Sequence, residues 1–128
     1  MWIQKISVNP DFIVDNCCDQ SCKLKMHGIE RYVILKGEKV VGSEQKICDC
    51  IIFLDGHIPR ICLVELKSRS LSVGDIIAKL KNGCASALRI YKSTRISTEP
   101  EIYLILLAKS YSNYDATARL SSEIIDRR

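Results

Sequence analysis

The sequence predicts an α/β fold in which a central mixed β-sheet is flanked by helices. Three observations predict this class: two short apolar strands joined by a tight turn, a long stretch with helical periodicity after them, and a strongly apolar strand after that helix. An antiparallel meander followed by a helical crossover is typical of mixed sheets. The sequence has 128 residues and neither a linker nor an internal repeat, so we expect residues 1–128 to form a single domain.

The first third of the chain is expected to contribute a helix and then a strand. Asp15 or Asn16 is a plausible N-cap for a helix that runs to about Met26, and a glycine follows soon after it. Residues 30–35 are rich in residues that favour strands, and residues 36–39 have the composition of a turn. The chain is then expected to turn back into the next strand.

The central hairpin is the clearest pattern in the sequence. Its predicted strands cover residues 47–54 and 60–67. The segment between them contains Asp55-Gly56, a strong turn signal, and Pro59, which cannot continue a strand ladder. The sequence therefore predicts an antiparallel pair with a five-residue connection.

The second half of the chain predicts a helix and a further strand. Ser72 is the expected N-cap, and Gly83 should cost the helix about 1 kcal/mol relative to alanine unless another part of the chain approaches closely there. Residues 101–108 form the most apolar predicted strand, suited to the middle of a sheet, and residues 115–125 are expected to form a short helix. One stripe of the long helix is apolar: Val73, Ile77, Leu80, Cys84, Leu88 and Tyr91.

The pairing of the hairpin places charged side chains on one face. If Leu54 pairs with Arg60, Asp49 falls directly opposite Glu65, and Lys67 projects from the same face. Two opposed carboxylates repel each other unless a cation lies between them. Hard oxygen ligands suit Mg²⁺ or Mn²⁺. The pattern therefore indicates a site for a divalent cation beside a lysine.

These residues resemble the motif of the PD-(D/E)xK nuclease superfamily, which includes restriction endonucleases and archaeal Holliday junction resolvases. The motif stands here as Cys48-Asp49 on the first strand and Glu65-Leu66-Lys67-Ser68 on the second. Cys48 replaces the proline that often precedes the aspartate. The resemblance covers roughly residues 15–108 and implies a restriction endonuclease-like αβββαβ core.

The resemblance also implies an activity: Mg²⁺-dependent or Mn²⁺-dependent hydrolysis of DNA phosphodiester bonds by an endonuclease, with junction resolvases as the nearest type. Asp49, Glu65 and Lys67 would be the catalytic residues. Asp49 and Glu65 would bind the metal together with the Leu66 carbonyl. Lys67 would orient the attacking water or stabilise the charge of the transition state. The competing interpretation is a structural salt-bridge cluster at the end of the sheet.

The family often supplies one further acidic ligand from the first helix. Asp19 is the candidate here, since it lies on the helix predicted before the hairpin. Glu30 and Glu44 are alternatives. A solvated surface acid is an equally good interpretation of Asp19.

The expected partner is DNA, with RNA not excluded. Ser68 and Arg69 follow the motif directly, and Lys79 and Asn82 lie on a polar stripe of the long helix that commonly faces the site in this fold, although an ordinary exposed face is the simpler interpretation. The net charge of +4 and the isoelectric point near 8.7 suit a polyanion but do not decide the matter. Relatives often form homodimers, which we expect here too. A non-catalytic nucleic-acid-binding or assembly protein that retains the nuclease fold is the alternative function.

The cysteines and the start of the chain bear on its location. Seven cysteines, an odd number, argue against a disulfide framework in a chain expected to be cytoplasmic. No apolar run approaches the ~20 residues of a membrane span, and the start lacks the apolar core of a signal peptide.

Most cysteines are expected to be small buried residues, with three of them on the sheet face opposite Asp49: Cys48, Cys50 and Cys62. A zinc site is the less favoured alternative for a group near the start: Cys17, Cys18, Cys22 and His27.

Overall fold

The computed structural model describes residues 2–19, 22–24, 26, 31–42, 45–67 and 73–108. Two 3-10 helices, Trp2–Lys5 and Pro10–Phe12, precede the first strand. The remaining elements are, in order, β1 (Ile13–Val14), β2 (Cys17–Asp19), β3 (Cys22–Leu24), β4 (Tyr32–Lys36), α1 (Gly37–Val41), β5 (Cys50–Leu54), β6 (Arg60–Lys67), α2 (Val73–Ser93) and β7 (Glu101–Ala108).

The described strands form a five-stranded mixed sheet and a separate two-stranded hairpin. The order in the large sheet is β1-β4-β5-β6-β7, with β2 and β3 paired beside it. Neighbours from β1 to β6 are antiparallel, whereas β6 and β7 are parallel and α2 makes the crossover between them. The predicted α/β class, the antiparallel meander and the helical crossover are therefore confirmed.

The register of the central hairpin is the predicted one. Leu54 pairs with Arg60, and the ladder runs back to the pair of Cys50 with Val64. Strand β5 nevertheless begins at Cys50 rather than at Ile47. The segment before it leaves the sheet to contact α2, and Ile47 is buried there.

The predicted first helix is wrong, because the chain forms the β2–β3 hairpin over part of residues 15–26. From Lys23 to Met26 polar and apolar residues alternate, which is a strand pattern. Leu24 and Met26 pack against the apolar cluster on one face of the large sheet. Burial of alternate side chains on a sheet face outweighs a helix with few strong helix formers.

Two further elements differ from expectation. The predicted turn at residues 36–39 is instead the start of the short helix α1, which ends before Gly42, a residue with φ of 86°. Strand β7 has the predicted bounds but is the last strand of the described sheet rather than a central one. The helix predicted for residues 115–125 lies outside the described residues.

The core has one cluster on each face of the sheet. The cluster beneath α2 contains Ile51, Phe53 and Leu63, and Leu80 of α2 packs into it. Trp2 closes one end of this cluster, with its ring 5.7 Å from that of Phe53 and edge-on to it. Because side chains alternate along β5 and β6, the even-numbered residues form the second cluster, which the β2–β3 hairpin covers. Hence, within the described residues, a helix covers one face and a hairpin covers the other.

The cysteines depart from the expectation of free thiols. Cys17 of β2 is disulfide-bonded to Cys50 of β5. Cys50 and Cys62 lie in the cluster beneath the hairpin, as predicted, but Cys48 packs in the cluster beneath α2 because it precedes the paired part of β5.

The long helix α2 is the only described helix with the length of a membrane span, and it is too polar to be one.

Candidate functional site

The carboxylate of Asp49 is held by the neighbouring strand. Asp49 lies one residue before the paired part of β5, where its Oδ2 accepts a hydrogen bond of 2.7 Å from the Leu66 amide of β6. Its backbone carbonyl accepts a 2.9 Å bond from the amide of Gly37. A hydrogen bond to an ionised acceptor is stronger than one between neutral groups. The first contact holds the Asp49 side chain at the end of the hairpin, and the second holds its backbone.

Glu65 carries the second carboxylate and is fully buried, with 0% of its side chain exposed. Its Oε2 lies 3.2 Å from Nζ of Lys79, which projects from α2 and is 23% exposed. A carboxylate without access to water must have a positive partner or lose its charge. The ion pair with Lys79 therefore allows Glu65 to be ionised beneath the helix.

The buried thiol of Cys48 is within electrostatic reach of both carboxylates. Burial, and secondly the negative charges of Glu65 and Asp49, raise the pKa of the thiol far above its ordinary value. Cys48 also donates its amide hydrogen to the carbonyl of Lys79 at 3.1 Å, which joins the segment carrying Asp49 to α2.

A polar stripe of α2 holds the segment before β5. The stripe consists of Asp75, Lys79 and Asn82, which lie four and three residues apart and therefore share one helix face. Asp75 forms a 2.7 Å ion pair with Lys46, and Asn82 donates a short hydrogen bond to the Lys46 carbonyl. The stripe thus makes intramolecular contacts, so it is not simply an exposed face. Nucleic-acid binding by Lys79 and Asn82 remains a prediction.

The other predicted site residues are less fully described. Lys67 ends β6, where it pairs with Ala108 of β7, but its side chain lies outside the described part of the structure, as do Ser68 and Arg69. Asp19 lies on β2 rather than on a helix, and this strand packs over the face opposite Asp49. The reason for choosing Asp19 is therefore gone. The alternatives Glu30 and Glu44 lie outside the described residues.

The donors that the site offers to a metal are oxygens. Asp49 and Glu65 contribute carboxylates, and the Leu66 carbonyl is expected on the Asp49 side of β6, because the N–H and C=O groups of a strand residue point to the same neighbour. This donor set has the chemistry that Mg²⁺ prefers. Within the described residues, no three His, Cys, Asp or Glu side chains converge in a way that could hold a metal ion. Two carboxylates and one carbonyl thus form the candidate set.

Sequence reasoning missed the roles of Cys48 and Lys79. The signal for the first was Gly83 in the interior of a strongly periodic helix, since a Cβ atom there would meet the Cys48 sulfur and Leu63. Predicting the partner of Lys79 requires knowledge of how α2 lies across the sheet.

The chain matches no protein-family model, no curated protein and no solved structure.

Proposed function

We propose that this protein is a metal-dependent endonuclease of the restriction endonuclease-like type, which hydrolyses DNA phosphodiester bonds and prefers branched structures such as junctions. The observation that carries the proposal is the contact between the Asp49 carboxylate and the Leu66 amide, one residue from Glu65. This contact brings the aspartate of one strand beside the Glu-x-Lys of the next. The order β4-β5-β6-α2-β7 supports the same assignment, since it agrees with the βββαβ portion of the family core.

The metal ligands of the proposed site are Asp49, Glu65 and the Leu66 carbonyl. Their oxygen chemistry fits Mg²⁺ or Mn²⁺. Once bound, the cation would supply Lewis-acid stabilisation of the charge that develops on the phosphodiester. Asp19 is left out of this ligand set, because β2, which carries it, packs over the opposite face of the sheet.

The remaining roles belong to the chain itself. Lys67 would hold the attacking water or the anionic phosphate oxygen as a compact positive charge. Ser68 and Arg69, directly after β6, would contact the nucleic-acid backbone, as would Lys79 and Asn82 on α2. A homodimer would present two such sites to two strands, and the positive net charge of +4 favours a polyanionic partner.

A second function is favoured by one observation. Glu65 is fully buried and already has Lys79 as its ion-pair partner, as in a purely structural pair. A non-catalytic nucleic-acid-binding or assembly protein with the same fold would have this arrangement. The two functions differ in whether nucleic acid is cut and whether the carboxylates matter to its binding.

A cleavage assay with Mg²⁺ or Mn²⁺ tests the proposal. The substrates are duplex, single-stranded, flap and four-way-junction DNA, with RNA as a further arm, and the variants are Asp49→Asn and Glu65→Gln. Both substitutions keep the size of the side chain, and we expect both to abolish cleavage. Glu101→Gln is the matched control, since Glu101 is a half-exposed carboxylate at the far end of the same sheet. We expect this control to cut as the wild type does.

The outcome separates the two functions. Cleavage by the wild type and by Glu101→Gln, but by neither site variant, supports the nuclease and shows which substrate shape it prefers. Binding without cleavage, unaffected by Asp49→Asn, favours the non-catalytic protein. Cleavage that persists in Glu65→Gln contradicts the site assignment.

A further inference from the structure

The positive charge that contacts Glu65 in the structure is the ammonium group of Lys79. Nζ of Lys79 lies 3.2 Å from Oε2 of a carboxylate that is fully buried. A divalent cation bound by the same carboxylate would come within a few ångströms of the ammonium group. Like charges repel most strongly where the local dielectric constant is low. Lys79 and a metal ion would therefore compete for the charge of Glu65.

The side chain of Lys79 can move away from Glu65 while the backbone of α2 stays in place. Its side chain is 23% exposed, so the ammonium has a path to water, and its long unbranched stem lets the charged end move while the stem remains packed. The backbone of Lys79 is fixed independently, because its carbonyl accepts the amide hydrogen of Cys48. The movement therefore concerns the side chain alone.

We propose that Lys79 is an internal counter-ion that competes with the divalent cation for Glu65, and this inference rests on the proposed metal site. Without metal, Lys79 neutralises Glu65 and keeps its buried charge compatible with the fold. When the metal binds, the Lys79 ammonium is displaced to the edge of the site, where an anionic phosphate is its natural partner. Lys79 is thus a positioning residue that sets metal affinity.

Calorimetric titration with Mn²⁺ tests the competition directly. The proteins are wild type, Lys79→Met and Lys92→Met. Lys92 is an exposed lysine on the same helix, about 20 Å from Lys79 along its axis, so its replacement controls for the loss of one positive charge. We expect Lys79→Met to bind Mn²⁺ on the order of tenfold more tightly than wild type, because no internal cation has to be displaced. Lys92→Met should bind as the wild type does.

Failure of the inference differs from failure of the proposed function. Equal Mn²⁺ affinity in wild type and Lys79→Met, or weaker binding in the variant, overturns the competition while leaving the metal site in place. Absence of Mn²⁺ binding in both proteins overturns the metal site and the competition together.

A measurement on the wild type covers the case in which Lys79→Met does not fold. Lysine acetylation by acetic anhydride, quantified by mass spectrometry with and without Mn²⁺, reports how accessible each amine is. We expect Lys79 to be modified several-fold faster when Mn²⁺ is present, and Lys92 to be modified at an unchanged rate. A Lys79 rate that Mn²⁺ does not change, or that it lowers, overturns the proposal.

Discussion

The sulfur of Cys48 lies against Gly83 in the middle of α2, in the space that a Cβ atom on residue 83 would need. Gly37 approaches the same residue from another direction, since a Cβ atom there would overlap the Cys48 carbonyl. Cys48 thus lies between two glycines, and the backbone that carries Asp49 is held by these close approaches. The packing of Cys48 therefore helps to position the carboxylate of Asp49.

We expect Gly83→Ala to destabilise the protein by about 1–3 kcal/mol, although glycine to alanine in a helix interior normally stabilises it by about 1 kcal/mol. The reason is the overlap with the Cys48 sulfur and with Leu63. Gly74→Ala is the matched control, because residue 74 lies on the same helix with no neighbour within 4 Å. Urea unfolding, followed by the fluorescence of Trp2, measures both.

A double substitution identifies the cause. Cys48→Ala removes the sulfur, so Gly83→Ala should cost less in that background than in the wild type. If Gly83→Ala stabilises the protein as much as Gly74→Ala does, the close approach is not a constraint on α2.

The ion pair between Glu65 and Lys79 should matter to stability mainly through the charge left behind when one partner is removed. We expect Lys79→Met to lower the free energy of unfolding by about 3 kcal/mol, since it leaves the Glu65 carboxylate buried. The double variant Glu65→Gln with Lys79→Met should recover much of this loss. Chemical denaturation without metal tests both, and a double variant no more stable than Lys79→Met would contradict the explanation.

Reduction of the disulfide between Cys17 and Cys50 should destabilise the protein. The bridge joins residues 33 positions apart in sequence, and closing a loop of that size is worth about 3–4 kcal/mol in the chain-entropy description. Thermal unfolding with and without dithiothreitol measures the effect. Cys18→Ser, which alters the adjacent exposed thiol, should keep the full response. Equal melting temperatures with and without the reductant would show that the bridge adds no stability.

Cys62 should contribute to a fall in stability at alkaline pH. Burial raises the pKa of this thiol from 9.0 to about 11 in the folded protein. Between these two values the unfolded chain releases the proton while the folded chain keeps it, so stability present below pH 9 is lost as the pH rises, by up to ~1.4 kcal/mol per pH unit. Cys62→Val should show a shallower decline in urea unfolding between pH 8.5 and 10.5. An identical decline would assign the pH dependence to other groups.

The sequence alone was sufficient for the parts of the fold that depend on short-range pattern. The Asp-Gly turn and Pro59 set the pairing of Leu54 with Arg60, and that pairing predicted correctly which residues of β5 and β6 lie opposite each other. The apolar stripe likewise gave the bounds of α2 closely, because a periodic pattern over many residues is hard to satisfy in any other way.

What could not be predicted depends on contacts between distant segments. No pattern near Cys17 in the sequence predicts Cys50 as its disulfide partner. The β2–β3 hairpin, which carries Cys17, packs on the apolar surface of the large sheet. The ion pair of Lys79 with Glu65 depends on how α2 lies across the sheet, and neither residue carries that information. Helix propensity and polar patterning depend on residues close together in the sequence, so they predict neither the disulfide nor the ion pair.

The contact between Asp49 and Leu66 lies within one hairpin, which has a consequence for the order of folding. Contacts between residues close in sequence form fastest, and hairpins form within about 1–10 μs, whereas the parallel pairing of β6 with β7 must wait until α2 has been laid down between them. We therefore expect the Asp49 carboxylate to reach the Leu66 amide early, while Glu65 is still hydrated. When α2 then packs on the sheet, it brings Lys79 to Glu65 and removes that water. The Glu65 carboxylate is therefore buried late in folding.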